Sequence, residues 1–375
     1  MKLSIERSDL LRALAHVQSV VERRNTIPIL SNVRLSAEDE RLILTATDMD
    51  LTVVEHARAE LAAPGTTTVS AHTFYDIVRK LPAGAQISLA RVEDGELSVS
   101  AGKARFTLPV LPADDFPHVL SGDKDADELE HGFSVAAETL IRLIDKTRFA
   151  ISTEETRYYL NGIFLHAHEQ GATSTLRAVA TDGHRLAMVE TDLPAGAEGM
   201  PAAIVPRKAV LELRKLLDEV GDDVQVRLSD SRIQFTVGSA VLHTRLIDGT
   251  FPDYERVIPK GNDKILRLDN KAFAEAVDRV QTIATEKSRA VKLSLASGSL
   301  TLSAVSPDAG RAEEQIDVMF EHDLDIGFNA RYILDMTEQI DGDEIELVIE
   351  DAGSPTLVKD PADTATLYVL MPMRV

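Results

Sequence analysis

LSIERSDLLRALAHVQSVV, residues 3 to 21, sets a short alternating strand directly against a helical run. The same opening returns as FSVAAETLIRLIDKTRFAI from Phe133 and as LRLDNKAFAEAVDRVQTIA from Leu266. Leu10, Leu14, Val17 and Val21 keep helical spacing in the first copy, and Phe273, Val277, Val280 and Ile283 do so in the third. A pattern recurring at fixed spacing marks a repeated structural unit.

Further landmarks follow in the same order. LILTATDMDL from Leu42 matches LRAVATDGHRLAMVE from Leu176, with LTLSAVSPDAGRAEEQI from Leu300 as a weaker third copy. A second helix follows each, starting at His72, Arg207 and Ala330, and then a turn and an alternating strand: GAQISLA, GDDVQVRL and GDEIELVI. Phe116-Pro117 and Phe251-Pro252 close the first two copies. The expected organisation is three α+β domains, 1–125, 126–253 and 254–375. Each has two helices packed on about eight antiparallel strands, as the half-buried alternation requires.

A chain of 375 residues exceeds what one hydrophobic core organises, which agrees with several domains. Aromatics are 5% of the chain and tryptophan is absent, so the cores must be aliphatic. There is no cysteine, which excludes disulfides, thiolate metal sites and cysteine nucleophiles. The N-terminus MKLSIERSDLL is charged early and shows no signal-peptide pattern, and no apolar window is long enough to span a bilayer. A cytoplasmic protein without membrane contact is expected.

The net charge of −21 argues against nucleic acid only if it is evenly spread. It is not. The six expected helices together carry +5, so −26 lies elsewhere. Basic helices within an acidic protein suit weak, salt-sensitive, sequence-independent phosphate contact.

TDGHRLAM, Thr181 to Met188, is the stretch that invites an enzyme reading, since histidine titrates near neutrality. Read as strand, Asp182 and His184 share one face and Gly183 takes the other. No HExxH, GxSxG or phosphate-cradling glycine loop accompanies them. A hydrolase using Asp182 and His184 is therefore the minor alternative, and a non-ring interaction scaffold another. The main reading is non-catalytic, with no metal and no cofactor.

With TIPILSNV from Thr26, RYYLNGI from Arg157, VATDGHRLA from Val179, VPRK from Val205, DGTFPDYERV from Asp248 and the terminal YVLMPMRV, the whole chain resembles the bacterial β sliding clamps. These are the processivity subunits of DNA polymerase III. The resemblance implies a head-to-tail homodimer whose six domains form a ring around duplex DNA. It implies as partners the replicative polymerase catalytic subunit, an ATP-driven clamp loader, and other polymerases and repair proteins carrying clamp-binding peptides.

It also implies a groove between the second and third domains for a short peptide with apolar anchors. Carried over by position, the groove is Leu160, Val179, Thr181, Gly183, His184, Arg185, Leu186, Pro252, Arg256, Val257, Pro355, Val369, Met371, Pro372 and Met373. Methionine suits an adaptable pocket, and Arg185 and Arg256 are expected to hold a peptide carbonyl or carboxylate at its rim. DNA contact is expected from Arg24, Arg157, Tyr158, Tyr159, Arg207 and Lys208, with core packing the alternative for one tyrosine. Glu154 and Glu155 partly cancel the field there. In RFTLPVLP, Phe106 and Leu108 are expected on an edge strand of the dimer seam, near Ile283 of the partner. Lys103 and Arg105 would face Glu313 and Glu314 across it. Burial in their own domain is the alternative for Phe106 and Leu108.

Overall fold

In the computed structural model, residues 1–92, 95–117, 129–171, 173–219, 221–284 and 289–374 are described. The expected boundary at 125/126 lies outside them. The first repeat runs β1 (Lys2–Glu6), α1 (Arg7–Gln18), β2 (Asn32–Glu38), β3 (Arg41–Thr47), β4 (Leu51–Arg58), β5 (Glu60–Ala63), β6 (Gly65–Ser70), α2 (Ala71–Lys80), β7 (Gln86–Val92), β8 (Glu96–Ala101) and β9 (Ala104–Pro109). The second runs β10 (His131–Ala136), α3 (Ala137–Asp145), β11 (Gly162–Gln170), β12 (Thr173–Thr181), β13 (Arg185–Asp192), β14 (Ala203–Pro206), α4 (Arg207–Leu217), β15 (Asp223–Leu228), β16 (Arg232–Val237) and β17 (Ala240–Arg245). The third runs β18 (Lys264–Asp269), α5 (Asn270–Gln281), β19 (Ala290–Ala296), β20 (Ser299–Ser306), β21 (Gly310–Asp317), β22 (Leu324–Asn329), α6 (Ala330–Thr337), β23 (Glu344–Ile349), β24 (Thr356–Asp360) and β25 (Asp363–Leu370).

The order strand, helix, three strands, strand, helix, three strands is thus common to all three, with β5 an addition in the first. Helical spacing fixes the buried stripes: Leu10, Ala13, Leu14 and Val17 in α1, and Phe273, Ala276, Val277 and Val280 in α5. Two expected helices are too long. The helical spacing of the first opening runs on to Val21, but α1 stops at Gln18, where Val20 and Val21 bond back to Val17 and Gln18 in tighter i→i+3 turns. Likewise α3 ends at Asp145 rather than Phe149, and Thr147 bonds back to Ile144. Val21 and Ile283 therefore lie beyond their helices, although Val21 is buried.

By contact density the chain divides into two compact units, which share its three repeats between them. Unit 1 comprises Met1–Ile141, Pro194–Pro201 and Val205–Leu246; unit 2 comprises Arg142–Leu193, Ala202–Ile204 and Ile247–Val375. Unit 1 holds a five-stranded sheet, β5-β1-β7-β8-β9, and an eight-stranded one, β10-β15-β16-β17-β4-β3-β2-β6. The sheets of unit 2 are β14-β11-β12-β13-β25-β24-β23-β18 and β21-β20-β19-β22. The division cuts through the middle repeat because its last strand, β17, pairs with β4, and its own β13 pairs with β25. Both pairings are antiparallel, and each makes one continuous sheet from two repeats.

Phe273, in α5, is 1% exposed. Phe273→Ala is expected to lower unfolding stability by about 3–5 kcal/mol through the cavity it leaves. Urea unfolding followed by circular dichroism measures this.

Candidate functional site

Thr181 ends β12 and Arg185 begins β13, so Asp182-Gly183-His184 is a hairpin turn and not the strand expected from sequence. Asp182 Oδ1 accepts from the amides of His184 (2.9 Å) and Arg185 (3.0 Å). Thr181 Oγ1 accepts from Gly183 N (3.0 Å) and donates to Arg185 O (2.7 Å). The first repeat makes the same four bonds with Thr47 and Asp48 around Met49 and Asp50. The threonine–aspartate pair is therefore a turn-building device in both repeats. Asp182 spends its carboxylate on this turn and on Arg185, which removes the shared-face argument for Asp182–His184 hydrolysis.

Gly183 and Met49 both have φ of 86°. The left-handed backbone thus tolerates a side chain at the equivalent place. The close neighbour at 183 is Arg157: an added Cβ would meet its Nη1, the end of a flexible side chain that would have to move aside. Glu154 holds that guanidinium in place with two contacts of 2.8 Å. The Arg157 pair keeps the Glu154 carboxyl below its usual range.

Arg185 is buried. Its guanidinium meets Asp182 at 3.1 Å, Asp335 at 2.5 Å and Phe149 O at 2.6 Å. It also lies 5.1 Å from the Phe149 ring centroid and 4.3 Å from that of Tyr332. The expected rim role fails for Arg185, because its donors are spent on internal acceptors. Arg256 is exposed by contrast: its side chain is 85% accessible and pairs with Asp253 at 2.7 Å.

Leu160, Val179, Leu186 and Val369 come together in one apolar cluster. Ile204, Phe251, Tyr254, Val348 and Leu357 complete it, with Tyr159, Phe164, Met188, Ile247, Ile258 and Leu367 packed against it. Phe164 and Phe251 stack at 4.7 Å and 4°. Phe116, the equivalent of Phe251, sits in a smaller cluster with Ile29 and Leu30. Beside the larger cluster, Pro252 and Val257 are exposed, Val257 by 46%. Thr181, Pro355, Met371, Pro372 and Met373 are half-buried. Met371 N donates to His184 O (3.0 Å), tying the C-terminal segment to the turn, and Met373 N donates to Gly327 O (2.7 Å). Asn262 fixes Pro355 by donating to its carbonyl (2.9 Å) and to that of Val348 (2.7 Å).

Phe251 and Tyr254 were legible within DGTFPDYERV but not as members of the cluster. Ile204 and Val348 carry no local signal, since only β14 and β23 bring them here.

Arg24, Tyr158 and Arg207 are exposed, Tyr158 by 53%. Tyr159 instead packs on the apolar cluster, with Gly249 against its Cβ. Lys208 departs from expectation: its ammonium is bound by Asp48, and Val20 O accepts from it at 3.1 Å. Its charge is largely satisfied within the chain, so it offers less to an outside phosphate.

On the expected seam, β9 is the end strand of its sheet. Leu108 is buried against its own domain, as the alternative reading had it, while Phe106 is half-buried and Lys103 exposed. Arg105 is exposed on the opposite face of β9. Ile283 is half-buried after α5, and β21 ends the other small sheet. Glu314 already pairs with Arg279 at 2.6 Å, whereas Glu313 is exposed. Among the described residues there is no group of three or more His, Cys, Asp or Glu able to hold a metal ion, and no helix long and apolar enough to cross a membrane.

Profiles of the N-terminal, central and C-terminal domains of the DNA polymerase III beta subunit match residues 1–120, 134–253 and 255–374. A beta sliding clamp of Caulobacter vibrioides is 54% identical over 377 residues, and that of Escherichia coli K12 is 37% identical over 378; both alignments cover 100% of each chain. A crystal structure of the C. crescentus beta sliding clamp superposes with TM-score 0.96 at 54% identity, covering 100% of this chain and 99% of that one. The sliding clamp of Bartonella birtlesii bound to griselimycin gives TM-score 0.96 at 47% identity, with 100% of both chains covered.

Gly183→Ala is expected to cost about 1–2 kcal/mol for its backbone conformation, plus the displacement of Arg157. Adding Arg157→Ala should recover the second part only, which a double-mutant cycle of melting curves reads. Arg185→Met leaves two carboxylates without their partner and is expected to cost about 3–5 kcal/mol.

Proposed function

The chain belongs to the DNA polymerase III beta subunit family, the bacterial β sliding clamps, and from that premise we propose how its parts divide the work. It is a sliding clamp, a non-catalytic processivity factor for DNA replication. The proposal concerns its assembly, its surfaces and its partners.

One observation carries the assembly. In the chain, the last strand of one repeat pairs antiparallel with the fourth-place strand of its neighbour: β17 with β4, and β25 with β13. The strands left over by this rule are β9, the last of the first repeat, and β21, the fourth-place strand of the third. Both end their sheets. Joining β9 of one copy to β21 of a second, twice, closes a head-to-tail homodimer and satisfies edges that would otherwise invite uncontrolled association. Three domains per chain, 1–125, 126–253 and 254–375, then give a six-domain ring. Phe106, Ile283, Lys103 and Arg105 lie at the seam, with Glu313 as the acidic counterpart.

The ring encircles duplex DNA without reading its sequence. Arg24, Tyr158 and Arg207 are the exposed contacts, and Arg157 joins them when phosphate competes with Glu154. The helices as observed still sum to +4 in a chain of −21. Such weak contacts suit sliding, because retention comes from topology and not from affinity.

The apolar cluster with Thr181, Gly183, His184, Pro252, Arg256, Val257, Pro355, Met371, Pro372 and Met373 around it forms the peptide groove. Its ligands are apolar-anchored segments of the replicative polymerase, other polymerases, repair proteins and an ATP-driven loader. These are cytoplasmic partners, and that is where the protein acts.

Clamps loaded on nicked circular plasmid by a matched loader and ATP should stay on circles and leave after linearisation. Equal retention on both forms would rule out encirclement. Phe106→Asp should shift the protein from dimer to monomer in sedimentation velocity. Val257→Asp should weaken binding of an apolar-anchored peptide about tenfold or more, with the melting curve unchanged.

A further inference from the structure

Beneath the exposed residues Arg256 and Val257 lies a buried polar chain that the groove reading leaves unexplained. Arg177, in β12, donates from Nη1 to the Tyr254 hydroxyl (3.2 Å) and to Glu255 Oε1 (3.1 Å), and from Nε to Glu190 Oε2 (2.8 Å). The Tyr254 hydroxyl lies 3.0 Å from Nε2 of His166, in β11. The other ring nitrogen, Nδ1, lies 2.9 Å from Ala167 O.

A carbonyl only accepts, so Nδ1 carries the proton, and in the neutral ring Nε2 must accept. The bonds therefore run one way: Arg177 to Tyr254, Tyr254 to His166, His166 to Ala167. Tyr254 is 5% exposed and begins the turn whose next residues are Glu255, Arg256 and Val257. Val257 N bonds back to Tyr254 O (3.0 Å), so the position of the tyrosine sets that of the turn.

We propose that peptide capture by the groove is proton-linked through His166, a positioning residue that holds the Tyr254–Val257 wall only while its imidazole is neutral. This rests on the groove reading above. A proton on Nε2 turns that atom into a donor. The tyrosine hydroxyl then faces two donors, Nε2 and Arg177, and its own proton loses its acceptor. The charges facing the ring are Arg177 from β12, His168 from its own strand at 6.2 Å between ring centroids, and Glu255 from the turn, with Glu190 of β13 behind Arg177. Burial is the largest influence on the ring and, with Arg177 and His168, holds its pKa below 6.5 against the opposing pull of Ala167 O and Glu255. The sign follows: the neutral ring is the native one. The stabilisation is complete above the unfolded value of 6.5 and is lost as pH falls through it toward the lower folded value.

The test uses the full-length clamp and an uncharged, amidated, fluorescein-labelled hexapeptide carrying a Leu-Phe pair, with dissociation constants measured from about pH 8 to about pH 5.8. The native protein should lose about two- to fivefold in affinity over this range. His166→Gln, which cannot take up the proton, should show a flat profile whatever its affinity near pH 8. His184→Gln, which removes the exposed histidine of the turn, should keep the native fold-change between the two pH values, whatever its affinity near pH 8. A flat native profile, an unchanged profile in His166→Gln, or a flat one in His184→Gln would overturn the proposal. Val257→Asp separates the two readings: if it binds the peptide as well as the native protein at every pH, the groove reading itself fails.

Discussion

Antiparallel pairing between repeats is the constraint on which the rest of this structure depends. A single repeat cannot satisfy its own sheets, because its last strand and its fourth-place strand both end with unmet backbone donors and acceptors. The chain meets that demand twice internally, at β17·β4 and β13·β25. These pairings make the eight-stranded sheets and cause the middle repeat to be shared between two compact units. The same demand, unmet at β9 and β21, supplies the reason for a second copy. In the proposed dimer, assembly would be a continuation of folding, by the same kind of bond.

The candidate groove is built at one of those pairings. β13 carries Arg185 and Leu186, β25 carries Val369, and their register sets Leu186 opposite Val369. The hairpin turn before β13 is then fixed from three sides. Met371 bonds to His184, Arg157 lies over Gly183, and Arg185 is clamped between two rings and two carboxylates. A peptide-binding surface would gain from such a frame, because less order is lost on binding. The exposed parts, Val257, Arg256 and the methionines, are the adaptable ones.

The internally paired cations divide along the same line. Arg185 and Arg177 are spent on structure, each with two carboxylates. Lys208 is spent on Asp48. The basic excess of the helices is therefore smaller in effect than its count suggests, which suits a protein that must slide. Weak attraction with topological retention needs no strong electropositive surface.

Several features were legible in the sequence alone. The threefold strand–helix opening, the two Phe-Pro pairs and the spacing of Leu10, Leu14, Val17, Phe273 and Val277 fixed the element order and the helix faces, because periodicity records which side of an element is buried. The motifs around Val179 and Asp248 pointed to the groove, since they are local and contiguous. Tertiary structure decided the rest. Alternation cannot distinguish a strand from a tight turn, so Asp182-Gly183-His184 was read as strand until its side-chain bonds showed otherwise. Composition counts a charge without its partner, so Arg185 and Lys208 read as available cations. Ile204 and Val348 join the cluster only through strands remote in sequence. The directed bonds from Arg177 through Tyr254 to His166 span 88 positions and depend on which atom faces which, and that is set by packing, not by local order.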